Sequence, residues 1–178
     1  MSTAKAVNEI DIAYLNGLSE NEAHQALTKC CGAAAWVKQM LAKRPYTNSD
    51  SVHKLAGETW WTLSEKDWLE AFEHHPKIGD INSLRAKFDH TKDWASNEQS
   101  GVDNAHEEVI QRLANGNTQY ETKFGYIFIV CATGKTAEEM LAILESRLPN
   151  TPEAEIKIAA EEQLKITLLR LQKLSPAI

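Results

Sequence analysis

The chain contains no long apolar run. Its longest, Phe124 to Ala132, is about half of the roughly 20 residues that a membrane helix needs. Cysteine is scarce too. Three residues, two of them adjacent (Cys30 and Cys31), do not make a disulfide framework, so the reducing cytosol is the expected compartment. Positive charge is short: 19 Lys and Arg stand against 25 Asp and Glu, a net −6 that argues against an electrostatic grip on nucleic acid or anionic lipid. There is no internal repeat, low-complexity tract or Ser/Gly-rich linker. The opening MSTAKAVNEIDIAYLNG lacks an apolar stretch, so no signal peptide is expected, and Pro176-Ala177-Ile178 is no peroxisomal address. What remains is 178 residues with 43% hydrophobic and 25% charged content, enough for a core and an ordinary surface. One compact domain over residues 1–178 is expected.

Helix-start signals recur along it. Ser19 with Glu22 has the spacing of a capping box, and Ala23, Ala26, Leu27, Cys30, Ala34, Val37 and Leu41 follow at helical intervals, predicting a helix that stops before Pro45. Ser64 with Asp67 opens a segment carrying Trp68, Leu69 and Phe72 that ends at His75-Pro76. Asp103 can cap a helix closed by Gly116, and Thr118 with Glu121 and Thr136 with Glu139 repeat the capping spacing. Pro152 suits a first helical position, from which a last helix runs to about Leu174. The segment from Phe124 to Cys131 reads locally as a buried strand, yet nothing else in the chain alternates with period two to pair with it. It is therefore expected to be a buried helix or an irregular core segment of an all-α domain.

Three suggestive strings fail on chemistry. Gly134-Lys135-Thr136 resembles the tail of a phosphate loop, but Ile129 stands where the first glycine should be. His106-Glu107 starts like a zinc helix, but Ile110 replaces the second ligand. Cys131 could be a nucleophile, though at the end of an apolar run a buried structural thiol is the ordinary reading. No metal site is read from the sequence.

Three others survive. In His74-His75-Pro76-Lys77-Ile78-Gly79-Asp80, Pro76 disfavours the helical conformation at His75, which places that imidazole at a helix end. It can serve proton transfer near neutrality, or merely meet the helix dipole. Trp94 to Gly101 sets Glu98 beside Gln99, a carboxylate and an amide able to bind a small polar ring or to lie on a solvated helix. Winding the last helix at about 100° per residue puts Arg170 between Ala159 and Ile156, on or at the edge of the apolar face. A cation there needs a carboxylate or an anionic ligand.

These strings occur together, and in order, in one family. The chain resembles the 2-oxo-4-hydroxy-4-carboxy-5-ureidoimidazoline (OHCU) decarboxylases through His75-Pro76-Lys77-Ile78-Gly79, Trp94 to Gly101, and Tyr120 with Lys123 to Ala132. Arg147-Leu148 with Asn150, and Glu162 with Lys165-Ile166-Thr167 and Leu169-Arg170-Leu171, complete the likeness over about residues 18–174. The resemblance implies an all-helical homodimer that makes (S)-allantoin in urate breakdown without a cofactor. It implies His75 as catalytic acid/base, with Glu98 beside it and Arg170 completing the set. Pro76, Ala95, Gln99 and the backbone of Phe128, Ile129, Val130, Cys131 and Ala132 would line the substrate pocket. Ala95 departs from the family, which usually has serine there. A helical interaction module and a hydrolase of ureido compounds are the competing classes.

Overall fold

The helical spacing of apolar residues is realised in a computed structural model that describes residues 9–76, 81–92 and 100–176. Those residues form nine α-helices and no strand, so the all-α expectation holds among them. The helices are α1 (Ile12–Gly17), α2 (Glu20–Cys30), α3 (Ala34–Ala42), α4 (Ser49–Trp61) and α5 (Glu65–Glu73). They continue with α6 (Ile81–Lys92), α7 (Ser100–Phe124), α8 (Ala137–Arg147) and α9 (Pro152–Lys173). Among the described residues no helix is long and apolar enough to cross a membrane. The chain divides into two compact units, Met1–His75 with Ala160–Ile178, and Pro76–Ala159.

In the first unit, the caps that the sequence spells are made. Ser19 and Glu22 exchange side-chain and backbone hydrogen bonds at the start of α2, and Ser64 and Asp67 do so at α5. The single helix expected from Ser19 towards Pro45 is broken, however, at Cys31–Ala33. A Cβ on Gly32 would lie 2.3 Å from the His74 ring, so a glycine is required where the chain passes that imidazole. Ala33 offers no side-chain cap to α3, and the Glu70 carboxylate supplies one, accepting the Ala34 N–H at 2.6 Å. Trp36, Val37, Met40, Val52, Ala56, Trp60 and Phe72 fill the core. Both buried indoles find acceptors: Trp36 Nε1 donates to Ala56 O (3.2 Å) and Trp60 Nε1 to Ala160 O (3.0 Å).

In the second unit, α7 corrects three expectations at once. The start at Asp103, the stop at Gly116 and the start at Thr118 do not exist; one helix begins at Ser100 and runs through all three. Gly116 serves packing instead, since a Cβ there would meet Leu144 Cδ2 at 2.6 Å, and Thr118 Oγ1 donates back to Ala114 O at 3.2 Å. The actual stop is Gly125, whose φ of +86° is the left-handed conformation that commonly ends helices. From there to Thr136 the chain is neither helix nor strand, so the Phe124–Cys131 segment is irregular beyond Phe124, the last residue of α7. Thr136 then caps α8 by accepting the Glu139 N–H, and Pro152 occupies the first turn of α9 as expected. Leu84, Phe88, Ile110, Leu113, Tyr120, Leu141 and Leu144 form the core here.

Candidate active site

His75 follows the His74 cap of α5, and its own N–H donates to Phe72 O at 3.2 Å. The half-buried ring therefore leaves a helix end on a fixed stem, as the proline after it led us to expect. Its Nε2 lies 2.5 Å from Gln163 Oε1, and Gln163 Nε2 lies 3.1 Å from Thr167 Oγ1. Burial holds the imidazole pKa below its usual 6.5; the Gln163 bond partly opposes this, while the charges of Arg170 and His74 reinforce it. His75 is thus neutral at neutral pH, with its base form ready. His74, by contrast, is exposed, and its Nδ1 contacts Glu70 O at 3.0 Å.

Arg170 is half-buried, as its place beside the apolar stripe required. Among the described residues its guanidinium meets a backbone carbonyl rather than a carboxylate: Nη1 donates to Lys29 O at 3.3 Å. That oxygen is one of the last in α2, where unpaired carbonyls carry partial negative charge. One bond leaves most of the guanidinium's five donors for other partners. The Arg170 charge also acts on Cys30 and Cys31, but burial dominates there, pushing Cys30 up to about 12 and Cys31 to about 11. Both remain thiols.

The segment Phe128–Ala132 belongs to the second unit and is held by its own scaffold. Arg147 Nη1 donates to Ile129 O at 2.7 Å, and Lys135 Nζ to Cys131 O at 2.7 Å. The Arg147 guanidinium lies 4.7 Å from the Phe128 ring centroid. Ile129 and Cys131 are buried; Phe128, Val130 and Ala132 are partly so. Behind Arg147 stands Glu155, fully buried, accepting from Arg147 Nε (2.9 Å) and Nη2 (2.5 Å), from Asn150 Nδ2 (3.1 Å) and from the Tyr120 hydroxyl. Pro76 is exposed. Ala95, Glu98 and Gln99 lie outside the described residues.

Comparison with known proteins turns these placements into a family. The OHCU decarboxylase family model matches residues 16–172, which takes in His75, Glu98 and Arg170. The chain belongs to the OHCU decarboxylase family. A solved relative described as OHCU decarboxylase in the presence of (S)-allantoin is 37% identical, with a TM-score of 0.65 over 88% of this chain and 97% of that one. The uric acid degradation bifunctional protein TTL of Arabidopsis thaliana is 40% identical over 82% of this chain, which spans 45% of that protein's length. The 2-oxo-4-hydroxy-4-carboxy-5-ureidoimidazoline decarboxylase of Amia calva is 28% identical over 92% of this chain and 93% of its own.

Sequence reasoning missed two groups that this family member places beside the expected ones. Gln163 and Thr167 are completely buried on α9, although glutamine on a helix defaults to the surface. The signal was present in the winding that located Arg170: both fall within about 20° of Ile156, at the centre of the apolar face. Arg147 and Asn150 were noted only as motif pieces, and nothing local announced Glu155 as their partner.

Proposed function

We propose that this protein decarboxylates OHCU to (S)-allantoin in urate degradation, as the names of its relatives suggest. The single observation that carries the reading is the family match over residues 16–172, which encloses His75 and Arg170. The same span, reaching across both compact units, supports residues 1–178 working as one domain with its core at about 18–174. The resemblance further suggests a homodimer in the cytoplasm.

The substrate carries its own electron sink. When the carbon–carbon bond to the carboxylate breaks, its electron pair moves into the ring through the carbon–nitrogen double bond, carbon dioxide leaves, the ring nitrogen takes up one proton from solvent, and one ring carbon must take up a second proton on one face. No separate cofactor is needed for that delocalisation. A neutral His75 can accept the proton released as the ring hydroxyl becomes a carbonyl, and the imidazolium so formed can return it to carbon. Such transfer typically contributes 10²–10⁴-fold. Arg170 would hold an anionic or carbonyl group of the substrate through paired donors. Glu98 would orient His75 and favour its protonated form once the proton has moved. Pro76, Ala95, Gln99 and the backbone of residues 128–132 would line the pocket, with one hydrogen bond lost at Ala95 where relatives carry serine.

The test generates OHCU in place from urate with urate oxidase and hydroxyisourate hydrolase. Carbon dioxide release and the circular dichroism of allantoin are then followed with and without this protein. Faster release with an optically pure S product is expected, against the slower racemic background of spontaneous decay. Ammonia or urea release in place of carbon dioxide would overturn the reading in favour of a ureido hydrolase.

A further inference from the structure

Gln163 is a long polar side chain with no exposed surface, in the middle of a helix face whose other members are Ile156, Ala159, Ala160 and Leu171. A buried amide is costly unless both of its ends are bonded, and both are. Its oxygen faces His75 Nε2 at 2.5 Å and its nitrogen faces Thr167 Oγ1 at 3.1 Å. An amide could in principle be turned over, which would reverse every role in the chain. The structure sets its nitrogen towards Thr167 Oγ1, which accepts, and its oxygen towards His75 Nε2. An amide oxygen only accepts. The ring nitrogen against it must therefore carry hydrogen.

We propose that Gln163, fixed by Thr167, is a positioning residue that holds neutral His75 as the Nε2–H tautomer and leaves Nδ1 as the nitrogen that exchanges the proton. The proposal rests on the decarboxylase reading for its chemical consequence but not for the tautomer itself. It gives a role to two buried polar side chains, Gln163 and Thr167. It also explains why the face of α9 beside Arg170 carries buried polar groups. The other charged or titratable groups acting on His75 among the described residues are Arg170 on α9 and His74 at the end of α5, and the hydrogen-bond partner of Nε2 is Gln163 Oε1.

The experiment is a two-bond proton–nitrogen correlation spectrum of the ¹⁵N-labelled, substrate-free protein at pH 7.5, assigned with His75→Asn, together with kinetics of Gln163→Met and Gln163→Glu. The wild-type spectrum should show His75 as the Nε2–H tautomer. Gln163→Met should mix the tautomers and lower kcat by about 10- to 100-fold with KM little changed. Gln163→Glu keeps an acceptor at the same place, so it should keep the tautomer, retain much of kcat and move the acidic limb of the pH profile to higher pH. An Nδ1–H tautomer in the wild type overturns the proposal, even if neither variant folds. So does a Gln163→Met protein with mixed tautomers and wild-type kcat. An Nε2–H tautomer in a protein that releases no carbon dioxide from OHCU supports the positioning and overturns the decarboxylase reading instead.

Discussion

The two units each bury an arginine-centred or histidine-centred polar group, and they satisfy it to different degrees. In the second unit, Glu155 receives two donors from Arg147, one from Asn150 and one from Tyr120, while Arg147 also bonds a backbone carbonyl and covers an aromatic ring. Burial and the bond to Glu155 both push the Tyr120 hydroxyl well above its ordinary pKa, so it stays a donor. Charge is balanced and donors are used. In the first unit, His75 has one ring nitrogen engaged among the described residues, and Arg170 has one bond, to a carbonyl. A saturated network has nothing left to offer a substrate. Among the described residues, the comparison therefore separates a group that holds a loop from one that keeps donors and a ring nitrogen open.

The sharpest way to break that comparison is His75→Asn. Activity should fall by about 10²–10⁴-fold, while the melting temperature falls only modestly, because asparagine leaves the α5 end and its backbone bond intact and removes only the ring bonded to Gln163 Oε1. His74→Asn should be tolerated, since His74 is exposed, its side-chain hydrogen bond goes to the nearby Glu70 O, and the smaller asparagine fits beside Gly32. A dead His74→Asn beside an active His75→Asn would reverse the assignment.

Arg147→Met should do the opposite. Leaving Glu155 buried without its cation is expected to cost about 3–5 kcal/mol, read by urea unfolding. Adding Glu155→Met should regain much of that loss, because two apolar side chains can fill the space without a stranded charge. If the double variant is no more stable than the single one, the bond to Ile129 O, not the ion pair, is what Arg147 chiefly provides.

Arg170→Lys should have a smaller effect on stability and a clear one on activity, about tenfold or more. Lysine keeps the charge and can still reach Lys29 O, but it lacks the planar fork that grips paired oxygens. An unchanged melting temperature with lost activity supports a ligand-binding arginine. Equal loss of both would class Arg170 with Arg147, as part of the frame.

The same contrast explains which parts were legible before the structure. Caps are local, and Ser19–Glu22, Ser64–Asp67 and Thr136–Glu139 were read as they stand. Asn48 caps α4 with Ser51 as its reciprocal partner, and that box was missed because serine is not the acidic or amide residue the pattern names. Gly116 was misread, and Gly32 passed over, for one reason: a neighbour distant in sequence, Leu144 in one case and His74 in the other, dictates glycine there. His75 and Arg170 were found because a proline and a helical projection betray them locally. Gln163 and Glu155 were not found, because a buried polar group is defined by partners that sequence spacing does not reveal.

The least effect, and the one that tests the electrostatics of the first unit alone, is on pH. Burial depresses the folded-state pKa of His75 below 6.5, with Arg170 and His74 adding to the shift. The unfolded chain therefore binds this proton more readily than the folded one between that lowered value and about 6.5. In that window stability rises with pH; the contribution is complete above about 6.5 and is lost as pH falls through the folded-state value. Urea unfolding followed from pH 7.5 downwards should accordingly lose stability faster in wild type than in His75→Asn, and the difference between the two curves isolates this residue from the other histidines. The kcat/KM profile should agree, with an acidic limb whose midpoint lies below 6.5, because protonation removes the base form. Arg170→Met deletes one of the two cationic neighbours and should move that midpoint upwards, towards the ordinary value. A limb above 6.5 would mean that a carboxylate outside the described residues, for which Glu98 is the candidate, outweighs burial at His75. Glu98→Gln would then bring the limb back down.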